Sequence, residues 1–478
     1  MKLTTIKILL SLAGFLMIVQ GCEITNDSQT NSSAEGSTQD VRDQLSRAEK
    51  MGKIYEQSLV TCPDRVWPGL GLDNLLVYAV HDPLQGAFRW DGTVPSRVKS
   101  VDYAKLNAVY KKRYYAFNSE DERNVVSVSL DQTAPLEENY IAVLGIHEAF
   151  HAYVQNDWEH RSGGGRGTLI PIKYQPRFYR YMMIQSLKAA VEGDNKGLGA
   201  VRYWYDRYRE EYPEDGEKIA STDVYEGSAE FVGEYARSLG VLGCNAKDES
   251  VLGRMVDTVV AKKRAILEME TLEKENFRLD AAPESYTLGL LSGMLLTEKG
   301  KSDWKERVEG GEAPVDILME GVKPQQQEES EEIRKIRSFF QDKADTRNET
   351  YLSQFREFSS KLEDGEKYFQ VELNKLLLDG LFKASGSVKY QRQNFTLDYS
   401  ASSTSGDVSI ESTLVSEPFP GECGYYSGSL SFPVLRSEVE LKEEEGKVVI
   451  KGTKVVVEDK PYKRVSRDGK SDILCVGM

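Results

Sequence analysis

The sequence predicts an α+β protein: a mainly helical domain with a small sheet, followed by a C-terminal antiparallel β domain. Before residue 380, apolar residues recur at helical spacing in residues 41–59, 140–154 and 198–212. Two short apolar runs in the same part of the chain, residues 75–80 and 125–130, predict the strands of the small sheet. After residue 380, short alternating runs are separated by Gly, Ser and Asp, which is typical of antiparallel strands.

The domain organisation follows from these changes in composition. At 478 residues the chain is long enough for two or three domains. We predict, in order, a signal peptide, a flexible tether, a helical domain, a charged helical segment and a β domain, at residues 1–21, 22–40, 41–325, 326–379 and 380–478. Within the fourth of these, residues 333–378 read as one or two long charged helices.

The N-terminus has the pattern of an export signal. Lys2 and Lys7 precede an apolar run, residues 8–19, that is too short to span a bilayer. The run ends at the valine of Val-Gln-Gly-Cys, residues 19–22, which resembles a bacterial lipobox with Cys22 as the lipidated first residue. The sequence therefore predicts a lipoprotein anchored to a membrane outside the cytoplasm, in the periplasm or at the cell surface. Plain secretion and an uncleaved anchor are the alternatives.

Four cysteines remain if Cys22 is acylated. An even number in an exported chain permits two disulfides, with three possible connectivities. Pairing Cys62 with Cys244, and Cys423 with Cys475, would keep each bridge within one domain. Four free thiols are the alternative.

Residues 147–151, His-Glu-Ala-Phe-His, have the HExxH pattern. No Gly or Pro follows Gly145 in this stretch, so a helix can run through it. Residues four apart share one face of a helix, and the imidazoles of His147 and His151 can then bind one cation. Glu148 lies about 100° round the helix from His147, where it can hold a water molecule without being a ligand. A buried helix with hydrogen-bonded histidines is the alternative.

Two further acids, Glu226 and Glu230, lie four residues apart on a second predicted helix. A two-histidine zinc site needs a third protein ligand and an open fourth position for water. Glu226 can reach the metal, while Glu230, one turn on, can accept the outward N–H of a ligand histidine. Gly227 and Ala229 would let a neighbouring helix approach the carboxylate closely. A solvated acidic helix face is the alternative.

Together, HEAFH and the later YEGSAEF resemble the gluzincin class of zinc metallopeptidases, in which a Glu on a later helix completes an HExxH site. The resemblance implies a zincin-like catalytic domain, Zn²⁺ as the cofactor, and His147, His151 and Glu226 as its ligands. It also implies that Glu148 is the general base, that Glu230 supports a ligand histidine, and that the substrate is a peptide or protein.

Two other residues could complete a metal site. The metzincin pattern fails, because Val154 replaces its glycine and Asp157 stands where its third histidine would be. Asp157 is an alternative third ligand, but without the glycine the helix should carry its side chain away from the metal-facing side. His81 follows a predicted strand and precedes Asp82-Pro83, where a structural role is more common than a ligand role.

Peptide hydrolysis also needs a hydrogen-bond donor for the oxyanion of the tetrahedral intermediate. Many gluzincins use a Tyr or His downstream of the third ligand, and no histidine follows Glu226 in this chain. The resemblance therefore points to Tyr286, at the start of a predicted apolar helix. Tyr225, next to the glutamate ligand, is the competing candidate, and core packing is the alternative for both.

The sequence thus predicts an extracytoplasmic zinc metallopeptidase. A non-catalytic substrate-binding or adhesive lipoprotein that acts through its β domain is one alternative. A zinc hydrolase of non-peptide amides or esters is the other, because the motif does not specify the scissile bond. The net charge of −15 argues against nucleic acid as a partner.

Overall fold

The structure is a computed structural model. It describes residues 38–72, 75–81, 84–92, 98–106, 115–120, 123–130, 140–158, 168–260, 269, 273, 279, 281–378, 382–383, 386–390, 393–403, 408–417, 423, 429–444, 447–452, 454–466 and 472–477. The predicted signal peptide, Cys22 and residues 22–37 of the predicted tether lie outside the described residues. Within the described part of the chain, no helix has both the length and the apolar character needed to cross a membrane.

The chain divides into two compact units. The helical unit contains residues 27–164 and 176–331, and the β unit contains residues 165–175 and 332–478. The predicted α+β class is confirmed, since helices dominate the first unit and a mostly antiparallel sheet dominates the second. Residues 165–175 belong to the β unit, although they lie in the sequence between two parts of the helical unit. The sequence did not predict this assignment.

The helices described in the helical unit include α3 and α6, which contain the predicted site residues. In chain order the helices are α1 Thr38–Tyr55, α2 Pro63–Val66, α3 Tyr140–Tyr153, α4 Tyr174–Val191, α5 Gly197–Glu211, α6 Pro213–Leu242, α7 Asp248–Met255, α8 Ala281–Glu298, α9 Trp304–Glu309 and α10 Pro314–Met319. Helix α1 begins inside the predicted tether, and α6 begins at a proline, whose missing N–H costs nothing in a first turn.

A five-stranded sheet completes the helical unit. Its strands are β1 Leu76–His81, β2 Gly86–Asp91, β3 Lys99–Ser100, β4 Tyr115–Glu120 and β5 Arg123–Ser129, in the order β3-β2-β1-β5-β4. The pair β1 and β5 is parallel, and both match predicted strands. Helix α3 is tied to β5, because the Tyr153 hydroxyl accepts from Val125 N (2.9 Å) and donates to Val125 O (2.6 Å).

Glycines let α3, α6 and α8 pack closely. A methyl group on Gly227 of α6 would lie 2.7 Å from the Cα of Gly289 in α8, and one on Gly233 would lie 2.9 Å from the carbonyl oxygen of Val143 in α3. Real Cβ atoms do not approach so closely, so these backbones are in direct contact. The close approach predicted beside Glu226 is therefore confirmed.

The β unit begins with helix α11, Glu331–Glu363. Its described strands are β6 Thr168–Leu169, β7 Tyr368–Asn374, β8 Phe382–Lys383, β9 Gly386–Tyr390, β10 Gln393–Ser402, β11 Val408–Glu417, β12 Ser429–Leu435, β13 Val439–Glu444, β14 Lys447–Gly452, β15 Val455–Val465 and β16 Ile473–Val476. Neighbouring strands are antiparallel except for β16 with β7 and β6 with β9. Because β15 also pairs with β11, the strands β11, β12, β7, β16 and β15 close into a ring.

The helix predicted over residues 333–378 is wrong at its C-terminal end. Helix α11 stops at Glu363, before Asp364-Gly365, and β7 follows. Phe369, Val371 and Leu373 alternate and point into the core of the β unit, which is the period of a strand.

The cysteines form one bridge of the two predicted. Cys423 and Cys475 are joined by a disulfide, as predicted. The predicted bridge between Cys62 and Cys244 is wrong, because both are thiols. The Cys62 thiol donates instead to the Gln57 carbonyl at 3.0 Å.

Candidate metal centre

Helix α3 holds both histidines of the HExxH motif inside the helical unit. Ile146, Ala149 and Phe150 of this helix are fully buried, so the helix is enclosed on its apolar sides. His147 is 3% exposed, and the side chain of His151 is 8% exposed. The two rings meet edge to face, with 4.6 Å between their centroids and 83° between their planes.

Helix α6 brings Glu226 to the same point. Its Oε2 lies 3.2 Å from Nε2 of His151 and 3.4 Å from Nε2 of His147. The two Nε2 atoms are 2.9 Å apart. Of the residues that the structure describes, these three form the one group of at least three side chains suited to hold a metal ion.

The triangle has the dimensions of a tetrahedral metal site. Bonds of about 2.0–2.1 Å at tetrahedral angles place neighbouring ligand atoms roughly 3.3 Å apart. The edges of 2.9, 3.2 and 3.4 Å lie close to that value. Glu226 is 1% exposed, and a carboxylate so buried needs a positive charge beside it. A divalent cation between the three atoms, or a proton on the imidazoles, would supply that charge.

Gln155 determines which nitrogen of His151 faces the triangle. Its Nε2 donates to the Tyr225 carbonyl (2.8 Å) and to Ser228 Oγ (2.9 Å), so its Oε1 is left to accept. That Oε1 lies 2.5 Å from Nδ1 of His151, which must therefore carry the hydrogen. The Nε2 of His151 then presents its lone pair to the triangle.

Glu230 lies at the other ring nitrogen of His147. Its Oε2 is 3.2 Å from Nδ1 of His147, which is an ion-pair distance without the angle of a hydrogen bond. An acceptor at this position favours hydrogen on Nδ1 and leaves the Nε2 lone pair pointing inward. Two lone pairs and a carboxylate oxygen that face each other at about 3 Å repel unless a cation lies between them.

Glu148 is a largely buried acid beside the candidate ligand histidines. It is 6% exposed, and its carboxylate makes no hydrogen bond or ion pair with the other residues that the structure describes. Carboxylates in such surroundings are common at functional sites.

Tyr286 lies beside the first candidate ligand, His147. Its ring centroid is 5.5 Å from that of His147, and its side chain is partly exposed. The contact of Gly289 with Gly227 holds α8 close to α6, the helix of Glu226. The competing tyrosine, Tyr225, lies with its ring 5.6 Å from Trp158.

The other candidate ligands stay apart from the triangle. His81 Nδ1 accepts a hydrogen bond from the Leu84 amide at 3.1 Å, which is a turn-forming role. Asp157 is exposed on the short 3-10 helix after α3. Neither belongs to the metal-ligand group found in the described part of the chain.

Sequence reasoning missed Gln155. It follows His151 by one helical turn, the spacing at which two side chains on one helix meet, so the signal was present. Comparison of the chain with family models, curated proteins and solved structures found no match.

Proposed function

We propose that this chain is a zinc-dependent metallopeptidase that hydrolyses peptide bonds. One observation carries the proposal: three ligand atoms from two separate segments converge in a triangle of the size that a tetrahedral metal requires. The donor set favours zinc, because imidazole nitrogen suits Zn²⁺, whereas Ca²⁺ and Mg²⁺ prefer all-oxygen sites.

Two histidines and one glutamate are a ligand set of catalytic zinc sites, which keep a fourth position for water or substrate. Bound there, zinc would supply a Lewis acid and would lower the pKa of a coordinated water to about 7. Gln155 and Glu230 would hold His151 and His147 with their Nε2 lone pairs directed inward.

Glu148 would transfer the proton in this reaction. As water adds to the amide carbonyl, the Glu148 carboxylate would accept one of its protons. It would then deliver that proton to the nitrogen that leaves when the C–N bond breaks. Its burial without a partner in the described chain supports this role, since no neighbour competes for the carboxylate.

Tyr286 would stabilise the developing oxyanion. Its hydroxyl is a neutral donor at the end of a side chain that packs beside His147. A donor directed at charge that develops only in the transition state lowers the barrier without tightening the ground state.

The experiment is a cleavage assay on a peptide library with the exported part of the chain. We expect cleavage by the zinc-loaded protein, loss of cleavage with a chelator, and recovery on adding Zn²⁺. A Glu148→Gln variant loaded with zinc is the matched control, and its kcat should fall by about 10²–10⁴-fold. Cleavage that survives chelation, or a Glu148→Gln variant that cleaves at the wild-type rate, would rule out the proposed mechanism.

We place this activity outside the cytoplasm, on a lipid anchor at Cys22. The apolar leader, the Val-Gln-Gly-Cys stretch and the Cys423–Cys475 disulfide support this placement, because disulfides persist in oxidising compartments. Expressed in a bacterium with its leader, the wild type should fractionate with membranes and Cys22→Ser should not. Equal membrane fractions for both would exclude anchoring by Cys22.

A further inference from the structure

A buried cluster of charged residues connects helices α4, α6 and α8 next to the candidate metal centre. Arg180 of α4 is 1% exposed. Its Nη1 and Nη2 donate to the two carboxylate oxygens of Asp223 in α6, at 2.9 and 2.6 Å. This parallel two-bond contact fixes distance and orientation together, which a single ion pair does not.

The same guanidinium also binds α8. Its Nε donates to Glu284 Oε2 at 2.7 Å, and Nη2 donates to Ser285 Oγ at 3.0 Å. The Ser285 hydroxyl in turn donates to Asp223 Oδ1 at 2.5 Å. The Arg180 side chain of α4 therefore forms hydrogen bonds with both α6 and α8.

Two of the residues that Arg180 contacts lie next to residues of the candidate metal centre. Asp223 precedes the ligand Glu226 by about one helical turn, and Ser285 immediately precedes Tyr286. The glycine contact between Gly227 and Gly289 brings α6 and α8 together. The hydrogen bonds of Arg180 add a fixed direction and distance between these two helices at the same place.

We propose that Arg180 is a positioning residue for the metal centre: its contacts to Asp223, Glu284 and Ser285 set where Glu226 and Tyr286 lie relative to the histidine pair. The inference rests on the metal site of the proposed function and not on its peptidase activity. Burying charges is a poor way to gain stability, because desolvation offsets much of the attraction. A cluster of this kind beside a site that needs accurate geometry is better explained by positioning.

The test compares Arg180→Lys with Arg237→Lys. Lysine keeps the charge but lacks the planar fork of donors. Arg237 is the matched control: it is 1% exposed, lies on α6 itself, and is paired with buried Glu234 and Thr258. It follows Asp223 by 14 residues, which is about 21 Å along the helix. Three quantities are measured on both variants: zinc affinity by chelator competition, the visible spectrum of the Co²⁺-loaded protein, and the Tm of the metal-free protein.

We expect Arg180→Lys to weaken zinc binding by about 10-fold or more, in the range seen when outer partners of metal ligands are lost. Its Co²⁺ spectrum should change, while Arg237→Lys should keep wild-type affinity and spectrum despite a comparable fall in Tm. Should Arg180→Lys not fold, Asp223→Asn, which keeps the shape of the acceptor, should show the same changes in smaller degree.

Equal zinc affinity and equal spectra in the two lysine variants would overturn the role of Arg180 and leave the peptidase proposal standing. A protein that binds zinc but cleaves no peptide would refute the peptidase proposal alone. In that case, weaker zinc binding and a changed Co²⁺ spectrum in Arg180→Lys would still support the positioning role of Arg180. A wild-type protein that binds no zinc would overturn both.

Discussion

The Oε1 of Gln155 lies 2.5 Å from Nδ1 of His151, and the amide nitrogen of the same side chain donates to the backbone of Tyr225. One side chain thus joins the helix of the two histidines to the helix of Glu226. It fixes the tautomer of a proposed ligand and the spacing of two helices at once. Gln155 is 1% exposed, so water cannot replace it.

Replacing Gln155 by Leu should weaken zinc binding by about 10- to 100-fold, as loss of a partner that orients a ligand histidine usually does. Without an acceptor at Nδ1, His151 gains access to the tautomer that cannot bind metal through Nε2. Chelator competition measures the change. Gln370→Leu, at another buried glutamine that lies in the β unit and donates to Ser431, should leave zinc affinity unchanged. Equal losses in both variants would contradict the role of Gln155.

Replacing Glu148 by Gln should leave zinc bound, lower kcat by about 10²–10⁴-fold and not lower stability. The activity falls because an amide cannot take the proton. Stability is retained because the carboxylate makes no hydrogen bond or ion pair with the residues that the structure describes, and glutamine has the same shape. Zinc content, kcat and the urea midpoint of the metal-free protein test this together. A large fall in the midpoint would show that Glu148 is a structural residue.

Replacing Tyr286 by Phe should lower kcat by about 10²–10³-fold with little change in KM, since the lost hydrogen bond forms only in the transition state. Tyr225→Phe is the matched control and should keep most of its activity, because the Tyr225 ring packs against Trp158. The opposite ranking of the two variants would transfer the oxyanion role to Tyr225.

Glu284 should make the stability of the helical unit depend on pH. Burial raises the pKa of Glu284 to about 7, against the opposing effect of Arg177 and Arg180, and nearby Asp215 adds to the rise. The folded protein therefore holds a proton that the unfolded chain releases near pH 4.5. The free energy of unfolding contributed by this group is largest below pH 4.5 and falls as the pH rises towards 7, by roughly 3 kcal/mol.

Glu284→Gln should remove this slope, because an amide does not titrate. Urea unfolding of the metal-free wild type and variant at pH 5 and pH 7.5 gives the comparison. The wild type should lose more stability between the two pH values than the variant does. Parallel pH profiles would show that Glu284 stays ionised throughout, held by its two arginines.

The candidate metal-ligand group could be predicted as a cluster because each half of it depends on short-range periodicity. His147 and His151 are one turn apart on a helix, and Glu226 and Glu230 are one turn apart on another, so the helical repeat alone fixes which side chains share a face. The structure then brings the two faces together. The small residue beside Glu226 predicted close helix packing for the same local reason, and Gly289 supplies the other side of that contact.

The features that could not be predicted depend on contacts between residues far apart in the sequence. Nothing local to Arg180 indicates that it meets Asp223 and Glu284, which are far along the chain. Likewise, β6 pairs with β9 across a separation of more than 200 residues, and no local pattern encodes such a pairing.

Zinc titration into the metal-free protein tests the central claim most directly. We predict one equivalent of tightly bound zinc for the wild type and a loss of affinity of more than about 100-fold for Glu226→Gln, which removes a ligand rather than a supporting contact. Glu234→Gln, at another fully buried glutamate of α6, should bind zinc like the wild type. Absence of binding by the wild type, or wild-type affinity in Glu226→Gln, would contradict the account.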